Sequence, residues 1–116
     1  MSEALSPDTR EKIQAEIDRA DVVVFMKGNP IFPMCGFSAN TAGVLNHLGL
    51  NYHSVDVLQD PEVREGIKIF TNWPTIPQVY VKGEFIGGAD IIRDMFETGE
   101  LKDMLTAQGI EFQAAA

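Results

Sequence analysis

The chain has 116 residues, 45% of them hydrophobic and 22% charged, enough apolar material to close one modest core in a single domain spanning residues 1–116 and too much for a disordered polymer. Nine Lys and Arg against 17 Asp and Glu leave a net charge of −8, which opposes general attraction to nucleic acid or to an anionic membrane, so an anionic ligand must meet a local cationic pocket. The single cysteine excludes an intramolecular disulfide framework, and the two histidines cannot complete a structural zinc site with it.

The opening residues, Met-Ser-Glu-Ala-Leu-Ser-Pro-Asp, carry neither the basic nor the apolar segment of a secretory signal. The longest apolar run, Val22–Met26, is far short of the roughly 20 residues a membrane span needs. The expectation is a cytoplasmic protein. Met1 to Leu5 and Gln113 to Ala116 show no periodic signal and are expected to be mobile.

Ser6-Pro7-Asp8 opens a first helix, with Ser as N-cap, Pro at the first helical position and an acid in the first turn; Ile13, Ile17 and Ala20 recur behind it at helical spacing. Val22–Met26 is continuous rather than alternating, the pattern of a central strand covered on both faces and parallel to a neighbour. After a loop carrying Gly28, Pro30 and Pro33, a second helix is expected from about Phe37 to Leu48, with Val44, Leu45 and Leu48 inward and Gly49 as its stop. Tyr52 to Val57 reads as an edge strand, and Asp60-Pro61-Glu62 caps a third helix with the stripe Val63, Ile67 and Phe70. Val79–Val81 and Glu84–Ile86 flank Lys82-Gly83 as a hairpin, although Lys-Gly is a weaker turn signal than Asn-Gly. Helices over about Asp90–Thr98 and Glu100–Gln108 close the chain. A βαβ unit followed by a helix and an antiparallel hairpin gives an α/β fold, a mixed four-stranded sheet with helices on both faces, of thioredoxin-like type.

Four segments carry the chemistry. Cys35, in Cys35-Gly36-Phe37-Ser38, sits at the mouth of the second helix, where free N–H groups and partial positive charge stabilise a thiolate; Lys27, at the exit of the central strand, adds a favourable charge. A free cysteine is often a small buried residue, but Gly36 and the flanking prolines argue for an exposed loop. Where redox motifs place a second, resolving cysteine, this chain has Ser38, which leaves helix capping as that residue's ordinary role. In Trp73-Pro74-Thr75-Ile76-Pro77, a cis Pro77 would aim the backbone of Ile76 at the Cys35 loop, ready to pair with an extended peptide; the alternative is a rigid turn packed under Trp73. Gly87-Gly88-Ala89-Asp90 ends a strand and begins a helix, where close backbone approach and free N–H groups suit a carboxylate; Asp90 could cap that helix, reach a ligand ammonium, or both. Arg64 and Lys68 stand at i and i+4 on the third helix. Either Asp60 and Glu65 neutralise them as a solvated face, or, with Lys27, they receive a small dianionic ligand. His47 and His53 have no carboxylate or cysteine at ligand spacing and are expected at the surface.

Together, Met26-Lys27-Gly28, Cys35-Gly36-Phe37-Ser38, Trp73-Pro74-Thr75-Ile76-Pro77 and Gly87-Gly88-Ala89-Asp90, in this order and spacing, resemble the monothiol glutaredoxins of the CGFS type, over nearly the whole chain from about Thr9 to Ile110. The resemblance implies that Cys35 ligates a 2Fe-2S cluster. It also implies that glutathione lies along the groove: Lys27, Arg64 and Lys68 at its carboxylates, Thr75 and Ile76 at its backbone, Ala89 and Asp90 at its γ-glutamyl end. Phe37 would wall the site, or else join the core as the first apolar residue of its helix. Four cluster ligands against one cysteine per chain imply a homodimer completed by two glutathione thiolates. The implied role is an iron–sulfur cluster carrier that exchanges with a scaffold and apo-client proteins and pairs with BolA-type proteins. Many family members have a second cysteine where this chain has Ala89, so direct thiol–disulfide catalysis at Cys35 is implied to be weak at most. A glutathione-dependent oxidoreductase acting through Cys35 is the alternative, and a thioredoxin-like interaction domain with an inert cysteine is the plainest reading.

Overall fold

The computed structural model describes residues 5–113. Helix α1 (Pro7–Ile17) leads into strand β1 (Val22–Met26), helix α2 (Gly36–His47), strand β2 (His53–Asp56), helix α3 (Pro61–Thr71), strands β3 (Gln78–Val81) and β4 (Glu84–Gly87), and helices α4 (Ala89–Thr98) and α5 (Glu100–Ala107). The strands form one sheet in the order β2-β1-β3-β4; β1 is parallel to β2 and antiparallel to β3, and β3 is antiparallel to β4. This is the mixed thioredoxin-like sheet expected from the sequence.

Continuous apolar character in β1 has a direct structural reason. Val22, Val24 and Met26 face a core built from Ala42, Leu45 and Leu48 at α2, Ile92 of α4, and Leu101 and Leu105 of α5. Val23 and Phe25 point the other way, into Ile13 and Ile17 of α1 and Val63 and Ile67 of α3. Strand side chains alternate faces, so a strand covered on both sides must be apolar throughout, and all five β1 residues are fully buried. In β3 the same alternation sends Val79 and Val81 to the first core and Tyr80 to the second.

Helix starts follow the sequence signals. The Ser6 hydroxyl accepts the Thr9 N–H at 3.1 Å and the Asp60 carboxylate accepts those of Glu62 and Val63, each followed by a proline in the first turn. Several local expectations are corrected. Helix α1 ends at Ile17, so Ala20 lies beyond it, half-buried against the same core. Strand β2 spans only His53–Asp56; Asp56 then takes the Leu58 N–H and Val57–Gln59 forms a single 3-10 turn. On α3 the buried stripe includes Gly66 beside Val63 and Ile67, while Phe70 is half-buried. His53 is half-buried and its Nε2 lies 2.8 Å from a Glu16 oxygen of α1, a carboxylate 37 residues away that no local spacing reveals. Of the ends expected to be mobile, residues 1–4 and 114–116 lie outside the described residues. Leu5 packs on the core, and the Gln113 N–H donates to the Leu48 carbonyl at 2.6 Å.

The β3–β4 hairpin turns at Lys82 and Gly83, both with positive φ. Lysine pays a steric cost there that asparagine largely avoids. Lys82→Asn is expected to stabilise the fold by on the order of 0.5–1 kcal/mol, read as a higher urea midpoint at constant slope; an unchanged or lower midpoint would contradict it.

Candidate functional site

The C-terminal end of β1, the first turn of α2, the turn entering β3 and the β4–α4 junction converge at one end of the sheet. Cys35 is the N-cap of α2, with extended φ/ψ and a half-buried side chain, so it is neither a core residue nor remote from solvent. Its thiol makes no capping hydrogen bond. The thiolate is what the helix start favours: the backbone N–H of Ser38 first, then that of Phe37 and the Lys27 ammonium, hold the Cys35 pKa below that of a free thiol.

Ser38 does not cap the helix. It is fully buried, and its hydroxyl accepts the Lys27 N–H at 3.0 Å, tying the end of β1 to the first turn of α2. The stretch between them is fixed by further bonds: the Gly28 N–H donates to Asp56 at 2.9 Å, Asn29 accepts from Ile31 and Phe32, and the Met34 N–H donates to the Lys27 carbonyl at 2.9 Å. Gly28 is required here, since at φ +86° a Cβ would stand 2.5 Å from the Phe32 carbonyl oxygen.

A depressed thiol pKa has a definite pH consequence. The thiolate fraction of Cys35 is expected to rise at lower pH than that of free glutathione, measured as iodoacetamide alkylation rate against pH. The matching stability contribution is complete above the unfolded-state thiol pKa and is lost as pH falls through the folded one. Ser38→Ala removes the acceptor for the half-buried Lys27 N–H and the Ser38 hydroxyl, the smallest of the influences favouring the thiolate, while keeping the Ser38 N–H, the largest. It is expected to cost about 1–3 kcal/mol in denaturant unfolding and to leave the alkylation profile near its place, because the backbone N–H groups that favour the thiolate remain. An unchanged unfolding midpoint would contradict the role assigned to the Ser38 hydroxyl.

The turn before β3 contains a cis Ile76–Pro77 peptide, the first of the two sequence alternatives. It is held from below by Gln78, a fully buried polar residue at the head of an otherwise apolar strand. The Gln78 amide donates to the carbonyls of Trp73 and Thr75, both at 3.2 Å, and its oxygen accepts the Tyr80 hydroxyl at 3.1 Å. Tyr80 meets Phe25 and Phe70 edge-on and Phe85 at a tilt, and burial raises its phenol pKa, so it remains a donor. Trp73 closes the array against Phe85.

Of the residues singled out in the sequence, Phe37, Thr75, Ile76, Ala89 and Asp90 line one cleft, floored by Trp73 and Pro77. Phe37 is 61% exposed, so it walls the cleft and is not core. Asp90 does not cap α4: Gly88 is the N-cap, and Asp90 lies in the first turn, 3.4 Å from Arg93. Gly88 admits the close packing, for a Cβ there would come 3.1 Å from the Trp73 indole nitrogen. Lys68 lines a neighbouring depression that shares Trp73 with the cleft, and it pairs with Glu65 at 3.4 Å. Asp60 is engaged with Lys12 at 3.0 Å, so it does not neutralise the α3 cations. Arg64 has no ion pair among the described residues, and its buried Nε lacks a hydrogen-bond partner. Lys27 is half-buried beside Cys35 and does not line the cleft. Sequence reasoning missed Gln78 and Asp56; the signal for Gln78 was a polar residue opening the apolar run that follows Pro77.

Comparison with known proteins identifies the family. The glutaredoxin family model matches residues 22–86. The chain is 50% identical over 101 residues to a ycf64-like monothiol glutaredoxin of Synechocystis sp., covering 87% of this chain and 94% of that one. It is 53% identical over 104 residues to monothiol glutaredoxin-5, mitochondrial, of Saccharomyces cerevisiae, covering 87% and 69%. Among solved structures it superposes on a truncated monomeric mutant of Trypanosoma brucei 1-C-Grx1 with a TM-score of 0.83 at 47% identity, covering 90% of this chain and 96% of that one. It superposes on a buckwheat glutaredoxin–glutathione complex with a TM-score of 0.77 at 25% identity, covering 90% and 93%. With a lone thiol at the helix start and this likeness over most of its length, the chain belongs to the glutaredoxin family, among the monothiol glutaredoxins.

Proposed function

We propose that the chain carries a 2Fe-2S cluster as cargo, receiving it from a scaffold and delivering it to apo-proteins, and that it binds glutathione to do so. The carrying observation is the pairing of a thiolate-favouring Cys35 with a buried, bonded Ser38 in the place of a resolving thiol. A thiolate with no internal partner cannot close a disulfide within its own chain, but it can ligate iron. Among the described residues no group of three or more His, Cys, Asp and Glu side chains could hold a metal. In this reading the remaining ligands come from outside the chain. Cys35 from each of two chains and the thiolate of each of two glutathiones make the four.

Glutathione fits the convergent groups. The backbone of Thr75 and Ile76 would pair with its peptide, Ala89 and Asp90 would meet the γ-glutamyl end where α4 begins, and Phe37 would wall it in. Lys27, Arg64 and Lys68 would face its carboxylates; the partnerless Nε of Arg64 is the donor best placed by chemistry to gain from an anion. The buckwheat glutaredoxin solved with glutathione supports this ligand. Pairing with BolA-type proteins belongs to the same proposal.

Anaerobic reconstitution with iron, sulfide and glutathione tests the reading by visible absorption and light scattering. A coloured dimer that forms only with glutathione is expected. A colourless monomer would overturn it and favour the second reading, which the lowered Cys35 pKa also supports. In that reading, the Cys35 thiolate attacks a protein–glutathione disulfide and releases the protein thiol. A second glutathione then attacks the Cys35–glutathione disulfide and leaves as glutathione disulfide, restoring Cys35.

A further inference from the structure

Between β1 and α2 the chain exposes Ile31, Phe32 and Met34, at 80%, 71% and 67%, and Phe37 in the first turn of α2 is also exposed. This exposure is not that of a loose loop, because side-chain and backbone hydrogen bonds hold Gly28, Ile31, Phe32 and Met34 in place. Met34 directly precedes Cys35 and differs from the other methionines. Met26 is fully buried, Met95 and Met104 are half-buried against the core, and Met1 lies outside the described residues.

We propose that Met34 is a modification site for peroxides, and that its sulfoxide weakens association through the apolar surface around Cys35. Oxidation of sulfur follows access, and Met34 is the accessible thioether among the described residues. While Cys35 is a free thiolate it is the stronger nucleophile and reacts with peroxide first; once it is bound, the sulfur left in the open is that of Met34. A lone pair on the Met34 sulfur attacks one peroxide oxygen, an S–O bond forms as the O–O bond breaks, and hydrogen peroxide leaves as water. The sulfur loses two electrons and the peroxide gains them. A methionine sulfoxide reductase reverses the change, a dithiol becoming a disulfide as the oxygen leaves as water; a free dithiol without the reductase does not.

The product is a polar, hydrogen-bond-accepting group next to Cys35, on a stretch that otherwise exposes the apolar side chains of Ile31 and Phe32. Burying it against a second chain without a donor is unfavourable. The effect on association rests on the shared-cluster reading; the identity of the oxidised sulfur does not.

The test uses the full chain with Cys35 held as its mixed disulfide with glutathione. Hydrogen peroxide is added, and mass spectrometry of proteolytic fragments locates the added oxygen. Dithiothreitol then frees Cys35 while leaving the sulfoxide, and the protein is reconstituted beside an untreated sample and a Met34→Leu variant taken through the same steps. Met34 is expected to gain oxygen about tenfold or more faster than Met26, Met95 or Met104. The oxidised protein is expected to give a severalfold smaller fraction of coloured dimer, while treated Met34→Leu, which keeps a side chain of similar volume, assembles like the untreated sample. Comparable oxidation of Met95 or Met104, or undiminished dimer from Met34-oxidised protein, would overturn the proposal. A colourless untreated sample would overturn the cluster reading and the association effect together, and the oxygen map would still decide the site.

Discussion

Cys35→Ser is expected to lose essentially all of the cluster absorbance and the glutathione-dependent dimer while keeping a fold as stable as the unaltered chain, or slightly more so. The chain has one cysteine, so the substitution removes every protein thiolate from the proposed ligand set at once and leaves no graded remainder. The fold has little to lose. Cys35 is a half-buried N-cap whose sulfur makes no capping bond, and serine is among the preferred N-cap residues, able to accept an N–H from the first turn of α2. Paired measurements of visible absorption after reconstitution and of the urea midpoint separate loss of a ligand from loss of structure. Retained colour in the variant would remove Cys35 from the ligand set, and a large fall in midpoint would mean that the cysteine is structural.

The second large effect is expected at Gln78. Replacing it with Leu keeps bulk in the buried position but strips the Trp73 and Thr75 carbonyls and the Tyr80 hydroxyl of their shared partner. Buried polar groups left unpaired cost about 1–3 kcal/mol each, and partial relaxation toward solvent at the turn limits the sum to about 2–4 kcal/mol. That is on the order of 10 °C in melting temperature for a domain of this size. Tyr80→Phe, which removes only the donor to Gln78, is expected to cost about 1 kcal/mol. Because Gln78 acts on the cleft only through the turn above it, glutathione affinity measured by calorimetry should weaken in Gln78→Leu at temperatures where the variant is still folded. It should change little in Tyr80→Phe. Equal unfolding midpoints for Gln78→Leu and the unaltered chain would contradict the role assigned to this side chain.

Elements whose reason is local were legible in the sequence. Ser6-Pro7 and Asp60-Pro61 announce helix starts because capping joins residues two or three apart, and the capping bonds are present. The unbroken apolar run Val22–Met26 identifies the covered central strand because only a strand buried on both faces avoids polar alternation. Cys35 at the mouth of α2 was legible for the same reason.

What escaped depends on partners far apart in the chain. Asp56 reaches the Gly28 N–H across 28 positions, Glu16 meets His53 across 37, and Lys12 meets Asp60 across 48. Periodicity reports which face a residue occupies and carries no trace of such pairs. Ser38 misled in the opposite sense. A serine near a helix start has an ordinary local role, but here the cysteine occupies the cap and the serine hydroxyl turns inward to Lys27. Gly88, whose backbone packs close to Trp73, takes the cap of α4 in place of Asp90, which lies in the first turn.

The most direct measurement is the composition of the coloured species itself. Iron, sulfide and acid-released glutathione would be quantified against protein in the peak isolated anaerobically by gel filtration, with its mass taken from light scattering. One iron, one sulfide and one glutathione per chain in a particle of two chains is the expected result. A coloured monomer, or a coloured dimer free of glutathione, would contradict a cluster shared between two Cys35 thiolates and two glutathiones.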